Sequence, residues 1–199
     1  MFTVKLEESD RPAMRLHFLE LGSEDRRLRF GFAARDSSIE RYVKDIDFNH
    51  DAVFGVHSTQ GDGRLFDGIT HLALEKNHAE IGVSVLEHNR GRGIGSALVS
   101  RAAVHARNRG IEILFMQCLS ENRAMMSIAS SLGMRVVIEG NESAASLSLP
   151  AADAFSIMRE MVAEKIALCD AALRETLLGR TDTRPATVKS SGVKDRAAA

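Results

Sequence analysis

The sequence EIGVSVLEHNRGRGIGS, residues 80–96, joins a strand pattern to a helix pattern through a glycine-rich loop. Its apolar first half predicts a strand, and a helical repeat of apolar residues begins at Ile94. Backbone N–H groups in such a loop, together with the N-terminus of the following helix, favour an anion. Arg90 and Arg92 add guanidinium groups whose shape suits phosphate oxygens. The stretch therefore predicts a phosphate-binding loop.

The glycine spacing separates this loop from two common nucleotide motifs. Gly91, Gly93 and Gly95 let the backbone approach a phosphate without interference from a Cβ atom. A G-x-G-x-x-G fingerprint counted from Gly91 would require glycine at position 96, which is Ser96, and the Gly-Lys-Ser/Thr ending of a P-loop is absent. Two interpretations stay open: a phosphate site of another kind, or a glycine-rich turn with two solvated arginines. The strand patterns ahead of the loop favour the phosphate site.

The chain before the loop contains helix patterns followed by strand patterns. Alternating apolar residues predict a first strand at residues 2–6. Two helices are predicted next, one beginning at Asp10 and Pro12 and ending near Gly22, the other beginning at Ser37. Three strand patterns separated by turn residues then predict a meander: Ala52–His57, Leu65–Leu74 and Glu80–Leu86.

After the loop the pattern alternates between helix and strand. The predicted elements are a helix from Ile94 to Gly110, a strand at Ile111–Leu119, a helix ending at Gly133, and a strand pair at Met134–Ile138 and Ala145–Leu149. The near-continuous apolar run of the first strand is typical of a central strand covered on both faces. A strand–helix–strand crossover places that strand parallel to the one before the loop.

Two motifs resemble those of the GNAT superfamily of N-acetyltransferases. Arg90-x-x-Gly93-x-Gly95 followed by Ser-Ala-Leu is similar to the family's pyrophosphate signature. Residues 122–134 are similar to its second motif, and the element order over residues 1–149 matches as well. The resemblance implies an α+β (mixed α/β) GNAT fold, in which a mostly antiparallel mixed sheet contains a splayed parallel central strand pair. Helices would cover both faces, with an extra C-terminal helix.

The resemblance also implies a binding site for acetyl-CoA, with no metal. The pantetheine arm would lie between the splayed strands, hydrogen-bonded by the backbone of Val83 and Val85. Asn122 would contact the CoA arm, although it is equally suited to cap a helix. The pyrophosphate would be held by the loop residues Arg90, Gly91, Arg92, Gly93, Ile94, Gly95 and Ser96.

The expected chemistry requires an amine to lose a proton before it attacks a thioester, since an amine with a pKa near ~10 is mostly protonated at neutral pH. Glu80 is the first candidate for the base, because family members often use a glutamate at this place; otherwise it is an exposed acid beside a turn. His71 is the second candidate, and its alternative role is a hydrogen-bonded core histidine. The family's usual tyrosine, which protonates the leaving thiolate, is replaced by Ala129. Tyr42 is the only tyrosine, and water can protonate a thiolate whose thiol has a pKa near ~8.5.

Composition limits the classes of function. The chain has 199 residues and a formal net charge of −1, which argues against nucleic acid as the main partner. Its longest apolar run is far shorter than the ~20 residues that span a bilayer, so no membrane association is expected. Charges within the N-terminal MFTVKLEESD interrupt any signal-peptide core, and we expect a cytoplasmic protein.

Three segments are predicted: an acyltransferase domain at 1–150, an amphipathic helix at 151–179 and a disordered tail at 180–199. The apolar stripe of the helix either packs across the domain's own surface or forms an interface with a partner, for example in a homodimer.

The sequence thus predicts an enzyme that transfers an acetyl group from acetyl-CoA to an amine on a small molecule or a protein. The alternative is a catalytically silent acyl-CoA-binding module that regulates a partner through the C-terminal helix. Ala129, in place of the tyrosine, keeps this alternative open.

Overall fold

A computed structural model describes residues 2–58 and 65–179 of the chain. The α-helices are α1 (Arg11–Glu20), α2 (Ser23–Phe30), α3 (Asp36–Asp45), α4 (Ile94–Asn108), α5 (Arg123–Ser131) and α6 (Ala154–Gly179). The strands are β1 (Val4–Leu6), β2 (Ala52–His57), β3 (Phe66–Glu75), β4 (His78–Val85), β5 (Ile113–Leu119), β6 (Arg135–Glu139) and β7 (Glu142–Ser148). These elements form the predicted α+β architecture.

The strands make one sheet in the order β1-β2-β3-β4-β5-β7-β6. Every neighbouring pair is antiparallel except β4 and β5, which run parallel. The parallel register covers only His78–Glu80 against Ile113–Phe115. Beyond those residues β4 continues to Val85 while β5 stays paired with β7 as far as Leu119. The splayed parallel pair expected from the sequence is confirmed.

The side chains of β4 alternate between the two faces of the sheet, and a separate apolar core lies on each face. Ile81 and Val83 face a cluster that includes Leu98 and Ala102 of α4 and reaches Met125 of α5. On the opposite face, helices α1 and α3 pack against β1, β2 and β3 through a second apolar cluster. Helices therefore cover both faces, and β4 lies between the two layers.

The N-terminal helices differ from the prediction, because three helices precede β2 and only two were expected. The missed helix, α2, has the sequence SEDRRLRF and carries no continuous apolar stripe. Its ends explain its stability: Glu24 and Asp25 lie in the first turn, and arginines in the last turn complement the helix dipole. Gly31, at φ 78°, closes it with an N–H bond to the carbonyl of Arg27 at 2.9 Å. The sequence signals for α2 were the acidic residues at its start, the arginines at its end and a glycine on each side.

Strand boundaries shift by a few residues from the predicted ones. β4 begins at His78 and β7 at Glu142, each earlier than its apolar pattern. β5 begins at Ile113, because the Ile111 N–H still donates to the Ala106 carbonyl of the preceding helix end. None of the described helices is long and apolar enough to cross a membrane. The tail predicted at 180–199 lies outside the described residues.

Helix α6 docks on α4 through polar contacts, and the idea that its apolar stripe packs across the domain is wrong. Ala167 packs against the core between the sheet and helices α1 and α3. The stripe itself is exposed at Phe155, Met158, Val162, Ile166 and Leu173.

Glu160 is the centre of the contact between α6 and α4. Its carboxylate accepts hydrogen bonds from Arg101 at 3.1 Å, from His105 at 2.5 Å and from Asn108 at 2.7 Å. Burial by itself raises the pKa of Glu160, but the bonds from His105 and Asn108 and the neighbouring positive charges outweigh it and lower the pKa to about 2. The ionised carboxylate therefore stabilises the folded chain.

Glu160→Gln should lower the free energy of unfolding by about 1–3 kcal/mol at pH 7, because it removes a charged acceptor from buried donors. A group whose pKa is depressed on folding contributes stability above its unfolded pKa of 4.5, and this contribution is lost as the pH falls toward 2. Urea unfolding at pH 7 and pH 3 should therefore show a difference from wild type that shrinks in acid. Glu164→Gln, which removes one 3.4 Å contact at a half-exposed carboxylate, is the control and should change stability by less than about 0.5 kcal/mol. An equal effect of both variants would contradict this account.

Candidate functional site

A cavity of about 330 Å³ lies where β4 and β5 cease to pair. Its walls come from the end of β4, the glycine loop, α2 and the start of α5. Nine residues predicted from the sequence line it: Val83, Val85, Arg90, Gly91, Gly93, Ile94, Gly95, Ser96 and Asn122. Arg92, Glu80 and His71 were also predicted and do not line it.

The loop presents backbone N–H groups to this cavity. Gly91 and Gly93 have φ of 72° and 79°, in the left-handed region that favours glycine. Gly93 is the N-cap of α4, and the first helical bond runs from the Ala97 N–H to the Gly93 carbonyl at 3.0 Å. The N–H groups of residues 94–96 consequently have no acceptor within the helix and lie along the cavity wall. This is a donor set suited to phosphate oxygens.

The two loop arginines have different surroundings. Arg90 forms an ion pair with Asp25 of α2 at 2.6 Å and donates through Nε to the Val85 carbonyl at 3.1 Å. Arg92 donates to the Asn89 side-chain oxygen at 2.7 Å. The Asn89 amide nitrogen is buried, has no hydrogen-bond partner among the described residues, and belongs to a residue of the cavity wall. Arg90 is thus a direct candidate for phosphate contact, whereas Arg92 is joined to the cavity wall by its hydrogen bond to Asn89.

Helix α2 supplies residues that the sequence analysis missed. Asp25 and Arg29, one turn apart, both line the cavity. The guanidinium of Arg29 lies over Gly82 of β4, where an added Cβ would be 2.4 Å from its Cζ. Gly82 therefore allows the arginine to approach the strand. A glycine inside an apolar strand pattern was the signal for this close approach.

Asn122 has a structural role and also lies in the cavity wall. Its side-chain oxygen accepts the Met125 N–H at 3.1 Å and so caps α5. Its amide nitrogen donates to the Leu28 carbonyl of α2 at 3.4 Å. The two interpretations offered by the sequence are therefore compatible in this geometry.

A chain of hydrogen bonds connects Arg29 to the sheet surface. Arg29 Nη2 donates to the Tyr42 hydroxyl at 2.8 Å, which lies 2.9 Å from His71 Nδ1; His71 Nε2 lies 2.9 Å from Asp51 Oδ2. Because a carboxylate can only accept, His71 carries its proton on Nε2 and accepts from Tyr42 at Nδ1. Each hydrogen bond of this series is thus donated in the same direction, from the Arg29 guanidinium toward the Asp51 carboxylate.

Burial sets the protonation states in this chain. It lowers the pKa of His71 more than Asp51 raises it, so the imidazole is neutral at pH 7. It also raises the pKa of Tyr42 against the opposing effect of Arg29, so the hydroxyl keeps its proton. Both ring nitrogens of His71 are engaged, which leaves no lone pair for an incoming amine.

Glu80 occupies the last position of the parallel pairing, opposite Phe115. It lies on the same sheet face as His71, since Ala73 pairs with Glu80 and His71 pairs with Gly82. Glu80 is exposed, and its carboxylate accepts no side-chain hydrogen bond within the described residues. Ala129, in contrast, is buried in the core beside α4.

A family model matches the part of the chain that contains the loop, the splayed strands and the cavity. The model of the Acetyltransferase (GNAT) family matches residues 6–134. The chain belongs to this family. The GNAT model spans the meander, the loop and α5, and thus every residue of the cavity wall described above.

Solved structures share the fold at low sequence identity. The GNAT domain of S. lividans PAT is 18% identical, with a TM-score of 0.63 over 74% of this chain and 89% of that chain. Ribosomal-protein-alanine N-acetyltransferase from Brucella melitensis is 14% identical, with a TM-score of 0.58 over 75% and 100%. The structure of yncA from Salmonella typhimurium with its cofactor acetyl-CoA is 16% identical, with a TM-score of 0.55 over 77% and 96%. No match was found among curated proteins.

Asn122→Ala should lower the free energy of unfolding by about 1 kcal/mol, because the α5 cap is lost. Asn122→Asp keeps the acceptor for the Met125 N–H and should retain most of that stability, although it cannot donate to the Leu28 carbonyl. Urea unfolding of the two variants measures the difference. Equal destabilisation would mean that the contact with α2, and not the cap, is the structural contribution of Asn122.

Proposed function

We propose that the protein transfers an acetyl group from acetyl-CoA to a primary amine on a small molecule or a protein. The cavity at the divergence of β4 and β5 is the observation that carries this proposal. It combines an open strand edge, a glycine loop at a helix N-terminus and an arginine at the same end. A GNAT family domain covers all of these parts.

The donor set of the cavity fits the polyanionic end of acetyl-CoA. Arg90 and the N–H groups of residues 94–96 are available to oxygens of a pyrophosphate. Asn89, whose buried amide nitrogen has no hydrogen-bond partner among the described residues, belongs to the same wall. Asp25 holds Arg90 in place through their ion pair, and the Arg90 guanidinium would contact both this carboxylate and the phosphates. Further along the cavity, the backbone of Val83 and Val85 is available to the pantetheine arm. Bound acetyl-CoA supplies the thioester carbonyl that the amine attacks.

Glu80 is the group best suited to accept the proton of the amine. Its exposed carboxylate accepts no side-chain hydrogen bond within the described residues, whereas both nitrogens of His71 are occupied. The amine would approach over helices α1 to α3 and the β6–β7 pair, on the side of Glu80 opposite the cofactor. His71 then acts on the site by holding Tyr42, and it is a positioning residue in this mechanism.

The leaving thiolate can take its proton from water, since a thiol has a pKa near ~8.5. Ala129 offers no proton and is buried. Tyr42 keeps its proton but donates it to His71. We therefore assign no side chain to this step.

We further propose that the reaction takes place in the cytoplasm and involves no nucleic acid, membrane or metal.

Ala129 also favours a second candidate, a silent acyl-CoA-binding module that acts through a partner. The exposed apolar face of α6 offers a surface for such a partner or for a homodimer. The two candidates share acetyl-CoA binding and differ in turnover.

Acetyl-CoA should stabilise the protein against thermal unfolding by about 2.7 kcal/mol at one hundred times its Kd. Arg90→Ala should weaken binding about tenfold, because it removes a charge-assisted donor. Arg15→Ala is the matched control, since Arg15 pairs with Glu40 at the surface of α1 and α3. Thermal unfolding of wild type with and without acetyl-CoA measures the stabilisation, and titration calorimetry gives the Kd of acetyl-CoA for all three proteins. Absence of binding, or binding undiminished by Arg90→Ala, would reject the site.

Glu80→Gln should lower kcat about a hundredfold or more while leaving the Kd of acetyl-CoA unchanged, because an amide cannot take the proton. Free-thiol release across a panel of amines measures turnover. Glu75→Gln, an exposed glutamate at the end of β3, is the control. Undiminished turnover would eliminate Glu80 as the base. Binding without turnover in wild type would favour the silent module.

A further inference from the structure

We propose that Arg29 binds a carboxylate carried by one of the two substrates, either by the acyl group or by the amine acceptor. The inference rests on the proposed acyl transfer and specifies its substrate class. It begins from a positive charge in the cavity wall that no carboxylate of the described residues neutralises.

Arg29 differs from the other arginines of the described residues that are not exposed to solvent. Arg26, Arg27 and Arg101 each pair with a carboxylate, at 2.6, 2.6 and 3.1 Å, as do the partly buried Arg11 and Arg107. Arg29 forms no ion pair within the described residues, and its hydrogen-bond partner is the neutral Tyr42 hydroxyl. Its Nε is buried and unpartnered among the described residues. Withdrawing a cation and its donors from water is unfavourable unless a partner replaces the water.

The guanidinium is held in one orientation. Tyr42 fixes Nη2 from one side and is itself held by His71 and Asp51. The Arg29 Cζ lies 5.1 Å from the centre of the Phe30 ring and 5.5 Å from that of Tyr42. A side chain restrained in this way has already lost the freedom that binding a ligand would otherwise remove. Its remaining N–H groups are therefore preorganised for a ligand.

The position of Arg29 separates it from the phosphate end of the cavity. Asp25, one helical turn earlier, contacts Arg90 of the loop, and a turn of four residues advances about 6 Å along the axis. Arg29 lies instead over Gly82, which precedes Val83 on the strand and is two residues from Glu80. In the proposed orientation this is the thioester end. The pyrophosphate is thus held elsewhere, and a different anion must meet Arg29.

A carboxylate is the anion that this geometry favours. The planar guanidinium donates in a fork that matches two carboxylate oxygens, and such charged bonds are stronger than neutral ones. Two sources have this chemistry: an acyl group that ends in a carboxylate, and an α-amino acid acceptor.

The first experiment tests the acyl group. Succinyl-CoA and butyryl-CoA are matched in carbon number and differ by a carboxylate in place of a methyl group. Titration calorimetry of wild type, Arg29→Met and Arg29→Lys gives the Kd of each. If the carboxylate is on the acyl group, wild type should bind succinyl-CoA at least about tenfold more tightly, and Arg29→Met should reduce this preference to within about twofold. Arg29→Lys, which keeps the charge without the fork, should be intermediate.

The second experiment tests the acceptor. With acetyl-CoA as donor, free-thiol release compares each protein amino acid with its α-carboxamide. A carboxylate on the acceptor predicts a kcat/KM at least about tenfold higher for the free acid, again removed in Arg29→Met. Arg27→Met is the control for both experiments, because Arg27 lies on the same helix but pairs with Glu24 and Glu121. It should keep the wild-type preference.

A carboxylate preference in one experiment that only the Arg29 variants lose supports the inference and identifies the source. No preference in either experiment overturns it, as does a preference that survives in Arg29→Met. An equal fall in kcat for charged and neutral substrates also overturns it, because Arg29 would then act on the reacting carbonyl. Failure of wild type to bind any acyl-CoA would reject the proposed function itself, whereas binding without carboxylate preference rejects only the role of Arg29.

Discussion

The end of parallel pairing at Glu80 and Phe115 is the constraint on which the rest of the site depends. Past this point residues 81–85 keep β3 as a neighbour on one side and have no strand on the other. Buried backbone N–H and C=O groups require partners, so the gap between the strands must accept a ligand or water. The cavity, its glycine loop and its covering helices all adjoin this gap.

Strand β4 serves two purposes because its side chains alternate between faces. Ile81 and Val83 enter the core beneath α4, while Gly82 faces Arg29 of α2 and Ser84 faces His17 of α1. Ser84 bonds the buried His17 at 2.8 Å, and burial lowers the pKa of His17 to about 4, so this histidine is a neutral core residue. The same alternation leaves the surface of Gly82 open to Arg29. Successive residues of β4 therefore alternate between packing in the core beneath α4 and facing the helices on the opposite side of the sheet.

The polar helix α2 completes the cavity by long-range contacts. Asp25 reaches the loop, Arg29 reaches β4, and the Leu28 carbonyl meets Asn122 at the start of α5. These contacts join segments that are far apart in the sequence. The helix consequently connects the glycine-loop end of the cavity to the end near Glu80, and both proposals depend on its position.

Within residues 2–58 and 65–179, the local patterns of the sequence were sufficient for the strands, for five of the six α-helices and for nine residues of the cavity wall. Glycine loops and amphipathic repeats are properties of neighbouring residues, so they can be recognised without the fold. Apolar periodicity did not reveal α2, because its sequence signals are end charges and flanking glycines and not an apolar stripe. The sequence could not reveal the exposure of the α6 stripe, which depends on what α4 presents to it. Nor could it reveal the line from Arg29 through Tyr42 and His71 to Asp51. Those groups meet only when α2, α3, β3 and the residue before β2 are packed together, so tertiary structure alone decided where the unpaired guanidinium lies.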